Sequence, residues 1–515
     1  MKKTLLVTSL IVLLATTAVF ANGSKEAQST AVADNSPVKL EYLIEQQSVA
    51  VDQNSPIVKK INEKYNVIID AWEVDPKKYN EQLNVKFAAG EMPDVFLLDP
   101  PGVLPSYVEG GIVAELPIEV IREKAPDYAK AIDEINPEIW NAVKYKGKNY
   151  GYAQPMSAYP MAVYWRKDWL DKLGLEVPTT IEEWETVLTA FVNEDPDGNG
   201  KKDTAGMAER VFSAIFGAYG VRCVTGAIPG FKVEEMQLDE QGLPFFPYID
   251  SRAKEALTLL NRWYKLGILD KEFVTGENHG GYTWYSHSFM NGRIGVTCAQ
   301  PSHYFVQSDD VTDPNNLGRC MKEFKALNPE GEVVIGPAPI GPRGDSGTEA
   351  WANIGKLIVI STKAMQDPRK VDAILHMLND FYTDMDFAGM LTFGIKGEDW
   401  KLTDKGPIRL LDGKEARRKG IIQFGYGNTV PFSAYYREKQ DTFYRNIAPK
   451  GYYRIIMPAA QEYSDNIATL DTLTEQAYFD MITGTKPLSY FDTFVKEFKA
   501  AGGDAAEKAI RAAYN

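Results

Sequence analysis

The stretch NEDPDGNGKKDTAG, residues 193–206, places polar side chains at alternate positions around two glycines. Five residues stand at positions 1, 3, 5, 7 and 9 of an EF-hand-like loop: Asp195, Asp197, Asn199, Lys201 and Asp203. Gly200 holds position 6, where the chain must turn sharply. Oxygen ligands in this order suit Ca²⁺, with Lys201 contributing its backbone carbonyl. The pattern predicts a calcium site, and an ordinary surface turn rich in Asp, Asn and Gly is the alternative.

The loop departs from the EF-hand pattern at position 12, where a bidentate Glu is usual and this chain has Gly206. One calcium ligand is therefore unassigned. Because the loop joins two consecutive elements, we expect the ion to be structural. It would hold together three carboxylates that otherwise repel, and it would stabilise only the folded state.

The N-terminus has the three parts of a secretory signal peptide. Lys2 and Lys3 precede an apolar run that ends at Val19-Phe20-Ala21, so we predict a signal peptide over residues 1–21. A transmembrane helix is the weaker interpretation, because the run is short of about 20 residues. Residues 22–37 are small and polar and predict a flexible tether, with the fold beginning near Val38. The protein is therefore expected to be exported, to the periplasm or beyond.

Charge and cysteine content exclude several functions. The formal charge of −14 becomes −16 when Lys2 and Lys3 are removed, and an acidic chain repels nucleic acid. The three cysteines, Cys223, Cys298 and Cys320, allow at most one disulfide, and buried unpaired thiols are the other interpretation. The four histidines have no zinc-binding spacing.

Strands and helices alternate along the mature chain, and 515 residues predict two or three domains. VKLEYLIE, VIIDAWEV and DVFLLD are typical of strands. The helix SPIVKKINEKYN should begin at a Ser55 cap, and KKYNEQLNVKFAAGEMPD should end at Gly90. These segments predict a doubly wound α/β unit. GKNYGYAQPM predicts a hairpin with glycine at both bends.

The same alternation continues through the middle of the chain. YPMAVYWRKDWLDKLG predicts a strand and a helix, and Thr179 or Thr180 should cap a second helix that leads into the acidic loop. SRAKEALTLLNRWYKLGIL predicts a further helix, and FMNGRIGVTCAQ and GKLIVIST predict buried strands. The helix DPRKVDAILHMLNDFY follows, and two or three more helices are expected in the last third.

Aromatic residues are frequent, with nine Trp and 27 Tyr, and many lie outside helical stripes. Four of them fall in loops next to polar or glycine residues: Tyr159, Trp284, Trp351 and Tyr426. Aromatic rings beside amide and carboxylate groups suit a sugar, whose C–H faces stack on rings. Packing in the core is the alternative for each ring, and it is favoured for Trp169 and Trp184. The chain has no Gly-x-Ser-x-Gly, P-loop or dinucleotide-binding motif, although paired carboxylates of a glycosidase are not excluded.

Several segments, taken in order, resemble one family. They are FAAGEMPDVFLLD, VEGGIVAELP, GKNYGYAQP, VYWRKDWLDKLGLEVPTTIEEWETVL, FMNGRIGV and GKLIVISTKAMQDPRKV. This order is similar to that of extracellular solute-binding proteins of ABC importers. The large subgroup, similar in fold to maltose-binding protein and in length to alginate-binding proteins, is the nearest likeness.

The resemblance implies a two-lobe type II periplasmic-binding-protein fold, with doubly wound sheets joined by a hinge. Lobe 1 would comprise residues 38–158 and about 356–420, and lobe 2 residues 159–355 and about 421–515. Hinge crossings would lie near Tyr159 and Gly355. Members of this subgroup that carry a similar acidic loop have an acid directly after its ninth position, where this chain has Thr204.

The resemblance also implies which residues line the cleft between the lobes. Tyr159 and Trp351 would be stacking platforms, and Asp99 and Gln300 would be partners for hydroxyl groups. The same loops bring four further candidates: Gln47, Trp284, His303 and Tyr426. An acidic sugar would need a cation, and Arg166 and Lys167 near the first crossing are candidates that strand alternation could point away.

These observations predict a binding protein and not an enzyme. It would be a monomer that carries an oligosaccharide or related polyol to an ABC permease in the membrane. Two alternatives stay open: a secreted carbohydrate-active enzyme, either hydrolase or lyase, and a surface adhesin. The identity and charge of the ligand stay open as well.

Overall fold

The computed structural model describes residues 35–514 except 46–48, 76–77, 100, 156–159, 223–235, 276–285, 300–316, 351–353, 404–405 and 426–450. The strands, in chain order, are β1 Val38–Leu43, β2 Val67–Ala71, β3 Val95–Leu98, β4 Lys144–Tyr145, β5 Lys148–Asn149, β6 Gly151–Pro155, β7 Ala162–Arg166, β8 Ala205–Met207, β9 Gln237–Leu238, β10 Pro244–Phe245, β11 Ile294–Ala299, β12 Val333–Gly336, β13 Thr348–Ala350, β14 Ile354–Ile360, β15 Trp400–Thr403, β16 Gly406–Arg409 and β17 Gly451–Tyr453.

The α-helices alternate with these strands in the mixed α/β order that the sequence predicts. They are α1 Pro56–Tyr65, α2 Tyr79–Ala88, α3 Leu104–Glu109, α4 Ile118–Lys124, α5 Pro126–Ile135, α6 Lys167–Leu173, α7 Ile181–Asn193, α8 Phe212–Gly217, α9 Ser251–Leu266, α10 His287–Met290, α11 Arg319–Leu327, α12 Pro368–Thr383, α13 Met385–Phe393, α14 Gly413–Arg418, α15 Gln461–Thr483, α16 Phe491–Phe498 and α17 Asp504–Tyr514. No helix among the described residues is long and apolar enough to cross a membrane.

The first sheet has five strands in the order β2-β1-β3-β14-β6. Strands β1, β2 and β3 are parallel, and β14 runs antiparallel to both β3 and β6. Helix α1 begins as predicted: the Ser55 hydroxyl accepts a hydrogen bond from the Ile57 amide, and Pro56 occupies the first turn. Its apolar face packs into one hydrophobic core with the strands, since Ile57, Val58 and Ile61 are buried there.

The second sheet has four strands in the order β12-β7-β11-β8, and a separate core covers it. A capping box on Thr180 and Glu183 starts helix α7 at the predicted residue. The predicted core positions of Trp169 and Trp184 are confirmed, because both indoles are buried. The Trp184 ring lies 4.7 Å from that of Trp165 in an edge-on arrangement, which suits aromatic quadrupoles.

The chain passes between the sheets beside two short pairings. The backbone of Pro160 bridges to Ala350 of β13, and β13 pairs in parallel with β17. Among the described residues, the bridge from Pro160 to Ala350 is therefore a contact between the segments that precede β7 and β14. The residue limits of the two lobes stay a prediction. Three residues of the segment predicted for lobe 2 pack in the core of the first sheet: Ile421, Phe424 and Ile456.

One local prediction is wrong. The segment GKNYGYAQPM was expected to bend at both glycines, and only Gly147 lies in a turn, with a φ of 75° between β4 and β5. Gly151 instead begins strand β6, where a Cβ atom would lie 2.2 Å from the Ile358 carbonyl oxygen. The glycine is required by close strand packing and not by a bend.

Two of the cysteines, Cys298 and Cys320, are buried, and Cys223 lies outside the described residues. Burial raises the pKa of the Cys298 thiol to about 12. We therefore expect Cys298 to resist iodoacetamide at pH 8 in the native protein and to react fully after unfolding in guanidinium chloride. Peptide mass analysis after timed labelling measures this, and rapid labelling of native Cys298 would contradict it.

Candidate functional site

Most of the predicted cleft residues lie outside the part of the chain that the structure describes. These are Gln47, Tyr159, Trp284, Gln300, His303, Trp351 and Tyr426. Asp99 is described, and it is exposed directly after strand β3, as predicted. One of the eight candidates is thus described, and the grouping and the roles of all eight stay predictions.

Both sheets present polar residues where the chain crosses between them. We call this region the crossing edge: the end of the first sheet at Pro155 and Ile354, and the end of the second at Ala162 and Ala299. Asp99 belongs to it, since β3 ends beside the start of the antiparallel β14. The carboxyl ends of β1 and β3 lie at this edge, which is where α/β sheets bind ligands.

Three further side chains lie at the first-sheet part of the crossing edge. Lys356 of β14 forms an ion pair with Glu45, which follows β1. Gln154 of β6 is buried next to Gly355. Behind Asp99, the Tyr79 hydroxyl donates to the Leu97 carbonyl at 2.7 Å. Burial and then the Asp99 charge raise the pKa of Tyr79 well above its usual value, so this hydroxyl stays a neutral donor.

The second-sheet part of the crossing edge holds buried charged residues that sequence reasoning missed. Glu209 and Arg210 follow strand β8, and Glu349 lies on β13. Arg222 is only 2% exposed. Its guanidinium donates to the carbonyl of Tyr452 at 3.0 Å and to that of Ala350 at 3.1 Å, and so ties β17 to β13. No local motif marks these residues, because their role depends on contacts with distant segments.

The two cations considered for an acidic ligand are engaged within the protein. The Arg166 Nε donates to Asp168 at 2.9 Å, and its guanidinium lies 4.5 Å from the Trp169 ring centre. Its side chain is buried and therefore forms part of the packing of the second sheet. Lys167 pairs with Asp171 one helical turn later, on the protein surface.

The acidic loop forms a compact turn closed by its own side chains. The Asp195 carboxylate accepts hydrogen bonds from the amides of Asn199 at 3.1 Å and Gly200 at 3.0 Å. Gly200 has a φ of 77°, which fits the glycine requirement of position 6. Lys172 supports the loop from behind, where its ammonium donates to the carbonyls of Asp195 and Pro196 at 2.9 and 3.1 Å.

The Asn199 side chain lies between two of the carboxylates. Its amide nitrogen donates to Asp197 at 2.7 Å and to Asp203 at 3.0 Å. Burial, followed by the neighbouring charges, raises the pKa of Asp197. Burial alone would raise the pKa of Asp195, but the hydrogen bonds that its carboxylate makes outweigh burial and lower this pKa. Among the described residues, no group of three acidic, histidine or cysteine side chains is arranged to hold a metal ion. In the loop, the side-chain amide of Asn199 lies between the carboxylates of Asp197 and Asp203.

The two unusual positions of the loop have a structural explanation. The hydroxyl of Thr204, at position 10, is buried and donates to the Phe191 carbonyl at 2.7 Å. Gly206, at position 12, lies in strand β8, where a Cβ atom would be 2.9 Å from the Leu188 Cβ. The place of the usual glutamate is therefore occupied by the packing of α7 against β8.

Comparison with known proteins shows which proteins the chain is similar to. The sequence profile of the bacterial extracellular solute-binding proteins matches residues 51–236. Lipoprotein LipO of Bacillus subtilis (strain 168) is 24% identical over 491 residues, which span 89% of each chain. Over residues 51–236 the chain is similar to extracellular solute-binding proteins, and a further relative is the fructooligosaccharide ABC transporter substrate-binding protein FusA of Streptococcus pneumoniae, 27% identical over 42% of this chain and 41% of its own.

Solved structures establish the fold as the two-lobe type II arrangement. The alginate-binding protein AlgQ2, solved without calcium ion, has a TM-score of 0.66 at 18% identity and covers 93% of this chain and 98% of its own. FusA of Streptococcus pneumoniae, in complex with kestose, has a TM-score of 0.64 at 18% identity, covering 92% and 98%. FusA has also been solved as an EF-hand mutant. Calcium thus features among proteins of this fold.

Proposed function

We propose that this protein binds an oligosaccharide or related polyol between its two lobes and delivers it to an ABC permease. The observation that carries the proposal is the likeness to the polygalacturonan/rhamnogalacturonan-binding protein YtcQ of Bacillus subtilis, 24% identical over 91% of this chain, together with the polar crossing edge. AlgQ2 and FusA, which share the fold, bind saccharides. Contacts from both lobes would favour the closed state, which the permease reads.

The remaining features of this proposal follow the sequence predictions. Residues 1–21 would direct export and residues 22–37 would be a tether. The lobes would comprise 38–158 with about 356–420, and 159–355 with about 421–515. The protein would work as a monomer without catalysing a reaction. Asp99 would accept hydrogen bonds from ligand hydroxyls at the crossing edge, where its carboxylate is exposed.

The acidic loop would hold a structural Ca²⁺. Its donor set fits this ion, since three carboxylates, one side-chain amide and one backbone carbonyl supply only oxygen. The Asn199 amide would turn its oxygen towards the ion in place of its nitrogen, because the two atoms differ only by rotation of the terminal amide. Thr204 and Gly206 supply no carboxylate to the ion, so the affinity of the loop for Ca²⁺ would be modest.

A glycan panel tests the function. Purified protein mixed with kestose, mannotriose or an alginate trisaccharide should show a thermal shift or fluorescence quenching without cleavage of the sugar. Chromatography of the mixture after extended incubation is the second measurement. Steady release of products over many turnovers would favour the alternative, a secreted hydrolase or lyase, while binding to none of the panel would argue against a saccharide carrier.

We expect Trp351→Ala to weaken saccharide binding by ~0.5–1.5 kcal/mol in addition to the loss from the smaller buried apolar area, because a stacking platform is lost. The melting temperature of the free protein should hardly change. Isothermal titration and thermal denaturation measure the two effects. Trp184→Phe is the matched control: this ring is fully buried against Trp165, so the change should lower stability and leave affinity intact. A strongly destabilised Trp351→Ala variant of unchanged affinity would instead make Trp351 a core residue.

A further inference from the structure

Gln154 has an unusual environment at the crossing edge. It lies on strand β6, directly before the chain leaves the first sheet, and is only 7% exposed. Its side-chain oxygen is buried and accepts no hydrogen bond from any residue that the structure describes. A buried acceptor without a donor costs free energy, and a ligand that donates a hydrogen bond would remove this cost.

The neighbouring strand is shaped around this side chain. Pro155 pairs with Ile354 and Ala153 pairs with Leu357, so Gly355 and Lys356 together face the single residue Gln154 in a β-bulge. A Cβ atom on Gly355 would lie 3.5 Å from the Gln154 Oε1. Bulges frequently re-aim side chains beside binding sites.

Three charged residues lie at the same edge of the first sheet as Gln154. The Lys356 ammonium is already paired with the Glu45 carboxylate. Asp99, at the end of β3 on the same edge, adds an exposed carboxylate. A ligand carboxylate here would have to break the ion pair and would be repelled by Asp99. A hydroxyl group meets neither obstacle, and it can donate to the amide oxygen of Gln154.

We propose that Gln154 is a ligand-binding residue whose carboxamide accepts a hydrogen bond from a hydroxyl of an uncharged sugar unit. The inference rests on the proposed function and adds a residue and a substrate class to it. Neutral saccharides would therefore bind at this position in preference to uronates.

The test compares Gln154→Met with a matched buried amide. Methionine keeps the length of the side chain and removes the acceptor, so the free protein should keep or raise its melting temperature. Affinity for the neutral probe, kestose or mannotriose, should fall about three- to tenfold, as for the loss of one neutral hydrogen bond. In the control Asn261→Leu, the lost amide donates to the Met481 and Ile482 carbonyls far along the chain, so stability should fall and affinity should hold.

Each outcome separates the inference from the function beneath it. Binding of kestose or mannotriose by the native protein, with weakened binding by Gln154→Met, supports both. Unchanged affinity of Gln154→Met overturns the role of Gln154 and leaves the carrier function standing. Binding of the alginate trisaccharide alone overturns the neutral class. No binding of any probe by the native protein overturns the proposed function itself.

Discussion

Calcium should raise the melting temperature of this protein, and chelation should reverse the rise. Ion binding to the folded state alone stabilises it by about 2.7 kcal/mol at a hundredfold excess over the dissociation constant. Differential scanning calorimetry with CaCl₂ and then with EGTA measures the effect, and elemental analysis gives the bound calcium. Ligand binding should persist in EGTA at temperatures where the protein stays folded.

Protons should compete with the ion. The pKa of Asp197 is raised in the calcium-free fold, first by burial and then by the charges of Asp203 and Asp195. In the calcium-free protein, protonation of Asp197 favours the folded state. This contribution to the free energy of unfolding is lost as the pH rises through the raised pKa of Asp197. Calcium needs the ionised form, so its stabilising effect should appear with rising pH and shrink as the pH falls through the same range.

Variants make the calcium prediction specific to the loop. Asp197→Ala should remove the response to calcium and to EGTA. Asp239→Ala is the control: Asp239 also caps an exposed turn, where it accepts hydrogen bonds from the Gln241 and Leu243 amides, and it lies outside the loop. An unchanged melting curve with and without EGTA, and no bound calcium, would leave the loop as an ordinary turn.

Arg222→Met should destabilise the protein by about 3 kcal/mol, because a buried charged donor is lost and buried acceptors are left behind. The guanidinium joins the carbonyls of Tyr452 and Ala350, on the two strands that pair beside the crossing. Arg222→Lys should keep part of the stability and still weaken saccharide binding, since one ammonium cannot reproduce the two-carbonyl geometry. Denaturant unfolding and titration calorimetry measure the two changes.

Arg252→Met is the control for this prediction. The Arg252 guanidinium pairs with Asp250 at 2.9 Å, and its side chain is one-third exposed. Partly exposed pairs contribute up to about 1 kcal/mol, so this variant should be close to native in stability and affinity. Equal effects of the Arg222 and Arg252 changes would mean that Arg222 has no special role at the crossing.

The sequence predicted features whose causes are local. Ser55 and Thr180 were found as helix caps because a cap depends on residues within one turn. Asp99 was placed at a strand end because DVFLL is a short apolar run followed by a charge. These signals needed no knowledge of the tertiary structure.

The features that were missed depend on segments far apart in the chain. The environment of Gln154 is created by a bulge about two hundred residues later, at Gly355 and Lys356. Arg222 is significant only because β13 and β17 meet. Gly151 gave a turn signal and proved to be a packing position, since glycine serves both purposes.

The packing of Gly206 limits how this protein could evolve. A glutamate at this position, as in an EF-hand, would bring a Cβ atom to 2.9 Å from the Leu188 Cβ and to 3.1 Å from the Ile268 carbonyl oxygen. The change would be deleterious in the present background and beneficial only after α7 had lost volume at Leu188. Tighter calcium binding would therefore require two mutations in a fixed order. A smaller residue would first have to replace Leu188 in α7, and a glutamate could then replace Gly206.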